Sequence, residues 1–308
     1  MNESILITGA NIGLGKETAR QLALRKETKK VILFCRNQAK AEAAKKDLEE
    51  QTGKKIFEII IGDVSDANSV RKAAEKITEP IDAVILNAGG MIGKTAAQIT
   101  PSGMNELAAT NILGHVILVE ELIKQDKLKK AVLSVSAEAV PGVKMLGMKP
   151  VSMRTSSIDE FAAVLDGSYF GDKFDATQAY GYVKYVATMW TLSMARKYPD
   201  IKFVVMSPGN TKGTLAPDNL PPAMKFMLKY LMMPIVFPLI GGMVHTLEVG
   251  AKRFVDGISD ERYKSGVFYA SKEGKLSGDV VDQSTFYTDL KNTSFQDNAD
   301  KAIHRFIK

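Results

Sequence analysis

Apolar runs of strand length alternate with helical stretches almost from end to end of the chain. The runs at 4–8, 30–35, 55–62, 81–87, 131–136, 201–206 and 266–270 read as strands, and those at 14–26, 38–52, 66–78, 102–126, 175–198 and 241–257 as helices. Strands such as Ala83-Val84-Ile85-Leu86 are apolar on both faces, which suits a parallel sheet covered by helices on each side. Helix 38–52 reads as amphipathic, with Ala39, Ala43 and Leu48 inward among Lys40, Glu42, Lys45, Lys46 and Glu49. Right-handed crossovers then predict a single α/β domain over 1–308. It is a doubly wound, Rossmann-type fold with a mostly parallel seven-stranded sheet and insertions at about 138–174 and 210–247.

Composition narrows the class only slightly. The chain has 308 residues, 45% hydrophobic and 25% charged, ample for a core. The net charge of +6 is spread over helical faces such as Arg25 to Lys30, Lys40 to Lys55 and Lys124 to Lys130. Basic residues dispersed in this way, without interleaved exposed aromatics, point to solvated surface rather than to a nucleic-acid partner. The single cysteine, Cys35, ends an apolar strand, so no disulfide framework is expected. Met1-Asn2-Glu3 leads straight into the first strand with no charged-then-apolar leader, and a cytoplasmic location is the expectation.

In an open α/β sheet, ligand-binding residues gather at the carboxyl ends of the strands. The first strand runs into Gly9-Ala10-Asn11-Ile12-Gly13-Leu14-Gly15 and then a helix. Gly9 suits the tight turn, Gly13 leaves the backbone bare toward a pyrophosphate, and Gly15 lets the helix pack closely. Strand two ends in Cys35-Arg36, where a carboxylate would select NAD. An arginine there favours the 2′-phosphate of NADP, with Lys16 placed to help. Strand three ends in Asp63-Val64, and two readings stand side by side. Asp63 accepts from an adenine amine with Val64 bordering the ring, or it belongs to a helix cap with Ser65 and Asp66. Strand four ends in Asn87-Ala88-Gly89-Gly90, small residues beside a ribose or simply a turn.

Tyr-x-x-x-Lys occurs four times, at 169/173, 180/184, 198/202 and 287/291. A functional pair must lie one turn apart on one helix face. Pro199 breaks the third, glycines flank the first, and the fourth lies beyond the last strand. Tyr180 and Lys184 remain, with a core tyrosine beside a surface lysine as the plainer reading. A phenol titrates near 10, and a neighbouring ammonium and a cationic nicotinamide would both lower it toward use as a general acid/base. Ser136, with Ser134 behind it, is the candidate hydroxyl donor to a developing alkoxide. His115 and His245 lack a second ligand at metal spacing and read as packing residues, so no metal site is expected.

Together these landmarks resemble the short-chain dehydrogenase/reductase family over roughly residues 4–270. The elements are Thr8-Gly9…Gly13-x-Gly15, Asn87-Ala88-Gly89, Asn111, a strand-five serine, Tyr180-x-x-x-Lys184 and Pro208-Gly209. Gly15-Lys16-Glu17-Thr18-Ala19, Cys35-Arg36 and Thr110-Asn111-Ile112-Leu113-Gly114-His115 are most similar to its NADP-using branch of retinol-dehydrogenase-like and protochlorophyllide-reductase-like members. The resemblance implies catalysis by Tyr180, Lys184, Ser136 and Asn111, with Asn111 supporting a water-mediated proton path to Lys184. It implies NADP(H) held by Gly9, Asn11, Ile12, Gly13, Gly15, Arg36, Asp63, Val64, Asn87, Ala88, Gly89, Tyr180, Lys184, Pro208, Gly209 and Thr211. Helices 102–126 and 175–198 commonly form a four-helix contact in the family, which makes a homodimer or homotetramer an expectation by analogy.

Two departures stand out. The family's second strand-five serine falls on Ala137, so either Ser136 acts after a small backbone shift or the oxyanion site is weakened. The stretch from Ala137 to Tyr180 is far longer than the family's dozen or so residues, and is expected to wall one side of a substrate site. The other wall falls to 220–247, where no charge appears from Tyr230 to Leu247. That run reads as a lid over a lipophilic substrate, as buried core or dimer contact, or as a shallow membrane contact, the lid being favoured. The resulting expectation is an NADP(H)-dependent oxidoreductase acting on a carbonyl or alcohol of a bulky, mainly apolar substrate. The alternative, motivated by Ala137, is a non-enzymatic cofactor-binding protein on the same fold.

Overall fold

A computed structural model describes residues 2–93, 95–142, 149–212, 230 and 244–307. Its frame is one eight-stranded sheet: β1 (Ser4–Thr8), β2 (Lys30–Cys35), β3 (Phe57–Ile61), β4 (Ile81–Leu86), β5 (Leu128–Val135), β6 (Lys202–Met206), β7 (Val267–Ser271) and β8 (Val280–Asp282). The order is β3-β2-β1-β4-β5-β6-β7-β8, parallel through β7, with β8 antiparallel at the edge. The sequence pattern gives seven strands because β8 is three half-buried residues, too short to show an alternation. The order reverses between β1 and β4, which opens a crevice at their carboxyl ends.

The helices are α1 (Gly13–Ala23), α2 (Gln38–Thr52), α3 (Ala67–Glu75), α4 (Glu106–Ala108), α5 (Gly114–Lys124), α6 (Ile158–Asp166), α7 (Ala176–Lys197), α8 (Leu247–Ser259) and α9 (Thr293–His304). On one face of the sheet Leu6, Phe34, Val84 and Val132 pack with Val70, Val116, Val186 and Trp190. On the other, Ile5, Ile7, Leu33 and Ile85 pack with Ala19, Leu22, Ala41, Leu48 and Phe254. Local chemistry sets several helix starts: Asn37, Asp66, Asp175 and Asn292 each accept main-chain N–H groups of the first turn. At α2 the buried stripe is Ala41, Ala44 and Leu48, while Ala39 and Ala43 are exposed. At 100° per residue, Ala39 lies about half a turn away from Leu48, so the two cannot share a face.

The expected helix 102–126 begins only at Glu106 and is broken by a π turn over Ala109–Leu113 before α5. The helix expected at 241–257 runs from Leu247 to Ser259 among the described residues. In the first insertion, α6 is not a wall but core. Phe161, Val164 and Leu165 are fully buried, and Glu160 is tied to the N–H groups of Arg154, Thr155 and Ser156. Among the described residues of the insertion, Ala139 and Val151 lie against Gly181, next to Tyr180. The apolar run expected to form a lid lies almost entirely in 213–229 and 231–243, outside the described residues.

Candidate active site

The glycine turn after β1 is shaped for an anion. Gly9 adopts φ +69° while its N–H donates to the Phe34 carbonyl of β2 at 2.8 Å. Gly13 adopts φ +57°, and a Cβ there would meet nothing within 4 Å. A Cβ on Gly15 would sit 2.4 Å from the Gly9 carbonyl oxygen, so the close packing is against the turn itself. Ile12 places no side chain on the first N–H groups of α1 and is itself exposed; Asn11 beside it is half-buried. Bare helix-terminal N–H groups, a backbone with open space before it and the positive end of α1 fit a dinucleotide pyrophosphate. From β4, the Asn87 amide donates to the carbonyl oxygen of Thr8 at 2.9 Å and fixes the turn.

At the ends of β2 and β3, Arg36 (77% exposed) reaches to 3.7 Å from Asp63. Asp66, not Asp63, caps α3; Asp63 accepts from the N–H and hydroxyl of Ser65. The Val64 carbonyl receives the Gly114 N–H at 2.9 Å, and a Cβ on Gly114 would fall within 2.4 Å of it. The Asn111 side chain is fully committed: its oxygen accepts from Gly90 N–H, and its nitrogen donates to the Gly90 and Leu107 carbonyls. It therefore pins the Ala88-Gly89-Gly90 turn and does not reach Lys184 by its side chain.

Asp175 starts α7 five residues before Tyr180, and this brings Tyr180 and Lys184 to the end of β5. Lys184 is buried, with Nζ donating to the Val135 carbonyl at 3.0 Å and lying 5.7 Å from the Tyr180 ring centroid. Burial pushes Lys184 down to about 8 and the Tyr180 phenol up to about 12. The sequence predicts that Lys184 lowers the phenol; in the protein alone, burial raises it. The Tyr180 hydroxyl makes no hydrogen bond to another described residue.

Ser136 sits just past β5, and its hydroxyl lies 2.9 Å from that of Thr188. Thr188 gives its single proton to the Lys184 carbonyl at 2.8 Å, so Ser136 is the donor in this pair. Its proton is thereby directed into the protein. The other three Tyr-x-x-x-Lys pairs are not aligned on a helix: Tyr169 lies in a 3-10 turn, Tyr198 ends α7, and Tyr287 is buried with its hydroxyl on the Val151 carbonyl.

On the far side, Gly209 follows Pro208 at φ +72°. Thr211 is fully buried, its hydroxyl turned back on the Pro208 and Gly209 carbonyls. His245 donates through Nε2 to the Pro208 carbonyl at 2.6 Å. Beneath this turn lies a group the sequence reading missed. Arg253 of α8 is buried and donates to the Ser207 carbonyl, the Ser271 hydroxyl and the Gly278 carbonyl. Buried Glu138 lies 3.6 Å from it and accepts from the Ser271 N–H and hydroxyl; burial raises its carboxyl and lowers the guanidinium. The only signals were an acidic residue directly after Ala137 and an arginine on the apolar face of α8.

A profile of the short chain dehydrogenase family matches residues 3–142. The cattle protein "Dehydrogenase/reductase SDR family member 12" is 31% identical over 210 residues, 67% of this chain and 60% of its own length. The carrot chloroplastic protochlorophyllide reductase is 29% identical over 306 residues, covering 91% of this chain and 74% of its own. The chain thus spans less than two thirds of the cattle protein. Among solved structures, NADPH-bound carbonyl reductase from chicken fatty liver superposes with a TM-score of 0.58 at 21% identity, over 90% of this chain and 98% of that one. At that identity it speaks for the fold alone. With the glycine turn, the reversed strand order and a Tyr-x-x-x-Lys helix in register, these matches mean that the chain belongs to the short-chain dehydrogenase family, on the branch that also holds the protochlorophyllide reductases.

Proposed function

We propose that the chain is an NADP(H)-dependent reductase of a carbonyl group on a bulky, mainly apolar substrate, with Tyr180 as the proton donor. The observation that carries this is the Tyr180–Lys184 pair: a phenol with no intramolecular hydrogen bond among the described residues, one helical turn from a buried ammonium at the carboxyl edge of the sheet. When bound, the cofactor supplies or accepts the hydride. The bare turn at Gly13 and the N-terminus of α1 would hold its pyrophosphate, and Arg36 its 2′-phosphate. A phenol held near 12 is fully protonated at neutral pH, so Tyr180 is suited to give a proton to the carbonyl oxygen. Lys184 keeps positive charge beside the phenolate that results. The NADPH-bound avian neighbour and the protochlorophyllide reductase relative are consistent with this cofactor and with a large apolar substrate.

Tyr180→Phe should abolish NADPH consumption while leaving NADPH binding, followed by energy transfer from Trp190, within about twofold; turnover retained by this variant would remove Tyr180 from the role. A second reading rests on one specific observation: Ala137 stands at the family's serine position, and the Ser136 proton is directed to Thr188. On that reading the protein binds NADP(H) without turning over. A scan of lipophilic aldehydes, ketones and alcohols separates the two, since tight NADPH binding with no consumption anywhere in the scan would select the second.

A further inference from the structure

His115 reads from sequence as a packing residue, and it is buried, but both ring nitrogens are engaged. Nδ1 lies 3.2 Å from the main-chain oxygen of Asn111, four residues earlier, and Nε2 lies 3.1 Å from Oγ1 of Thr8. A carbonyl oxygen only accepts, so Nδ1 carries the proton. Burial, reinforced by the charge of Lys184, keeps the ring neutral far below its ordinary range, so Nε2 is bare and accepts from the Thr8 hydroxyl. Thr8 is left to accept the Ala88 N–H, which it does at 2.9 Å. The Thr8 hydroxyl has a second acceptor within reach, the Ile85 carbonyl at 3.4 Å, but the contact to Nε2 at 3.1 Å is the shorter, and the Nδ1 tautomer lets Thr8 make it.

The bonds close a circuit. The Asn111 side chain holds both main-chain groups of Gly90; its carbonyl holds His115; His115 holds Thr8; Thr8 holds Ala88. Asn111 sits in the π turn Ala109–Leu113, where the regular i→i−4 ladder is loosened. Its carbonyl is met there by the His115 ring from the following turn. Thr8 and Ala88 are the last ordered steps before the glycine turn and the Gly89-Gly90 turn, so the ring spans the two strand ends flanking the crevice.

We infer that His115 is a positioning residue: locked with its proton on Nδ1, it holds the Asn111 carbonyl and ties the π turn to the glycine turn through Thr8. The inference rests on the reading of Tyr180 and Lys184 as the reacting pair. Substitutions separate the two ends of the ring. His115→Asn keeps an amide donor near the Nδ1 position; His115→Gln places its amide near Nε2 and loses the donor to Asn111. The expected result is kcat within about threefold of the parent for His115→Asn and about 10- to 100-fold lower for His115→Gln, as for misplacement of a reacting group. The KM and Kd for NADPH should move by less than about threefold in both. Equal losses in the two variants, or no loss in either, would overturn the assignment.

A second measurement does not depend on turnover. The chain has three histidines. Side-chain ¹⁵N resonances, with His115 assigned by its loss in His115→Asn, should show a protonated Nδ1 and a bare Nε2 throughout the pH range in which the protein stays folded. A proton on Nε2 refutes the inference even in an active enzyme. If the parent protein turns over nothing, the functional reading fails, and the tautomer still reports whether the ring is locked as described.

Discussion

Arg36 and Lys184 show how much one side chain can be asked to do. Arg36 is 77% exposed and, among the described residues, is paired with Asp63 at 3.7 Å, a surface contact on which little of the described fold depends. Arg36→Ala should therefore raise the Kd for NADPH about 10- to 100-fold, the range for losing charge-assisted bonds to phosphate, and leave that for NADH unchanged. Parallel loss of both would make Arg36 a general surface charge. Lys184 is the opposite case. Buried and held near 8 rather than 10.5, it carries a burial cost of about 3 kcal/mol at neutral pH. Between pH 8 and 10.5 the unfolded chain binds the proton that the folded chain has released, so stability rises with pH and the cost fades. Lys184→Met should abolish turnover yet melt several degrees higher than the parent at pH 7, with the gain shrinking toward pH 10.5. A variant that melts lower at pH 7 would show that Lys184 stabilises the fold. Residues legible from sequence were those whose partners are near in sequence or fixed by strand ends, such as Gly9, Gly15 and the pair chosen among four Tyr-x-x-x-Lys matches. The direction of the Ser136 hydroxyl is not legible in the sequence, because it is set by Thr188, 52 residues away. Glu138 and Arg253 escaped notice for the same reason, at a separation of 115 positions.

Element boundaries follow a similar divide. β1 and β2 match the expected spans to the residue because each is an unbroken apolar run closed by Gly9 or Arg36. β8 lacks such a run, and α9 buries mainly Ala299, Ala302 and Ile303 among polar residues, so neither announces itself. The π turn within the expected helix 102–126 leaves no mark in a 3.6-residue pattern. What matters for chemistry is where α7 begins, and Asp175 decides that by accepting the Gln178 N–H at 2.7 Å. Removing the cap by Asp175→Ala should destabilise the protein by about 1 kcal/mol and let the first turn fray. Tyr180 is the fifth residue of that helix, so kcat should fall roughly threefold to tenfold with little change in NADPH affinity. Asp175→Ser, which can still cap, should restore both. If Asp175→Ala lowers the melting point but not kcat, Tyr180 is held by packing and not by the helix start.

At the scale of the whole molecule, α9 lies along the helices through which family resemblance suggests assembly. The four-helix contact expected by analogy needs the outer faces of α5 and α7. Here α9 packs along α7 and α6, with the Ser193 hydroxyl and Arg196 bonded to Asp297 and Lys197 paired with Asp300. Its last residue, His304, reaches Glu120 of α5 at 2.9 Å, so one helix bridges both elements of the expected contact. The Glu120 hydrogen bond pushes His304 up to about 9, so this clamp is charged at neutral pH; its contribution to stability is complete below about 6.5 and is lost as pH rises through 9. At neutral pH α9 is thus held where a second copy would have to dock. A partner using that face would have to displace buried alanine and isoleucine side chains together with several ion pairs. The chain should therefore run as a single copy of 33.6 kDa in light scattering at pH 7 and micromolar concentration. A mass of twice that value, insensitive to dilution, would mean either that the dimer forms on another face or that α9 swings aside. Cross-linking between cysteines introduced at the exposed Lys124 and Lys301 would distinguish the two: an intramolecular bridge in the dimer leaves α9 in place, and its absence moves α9 out.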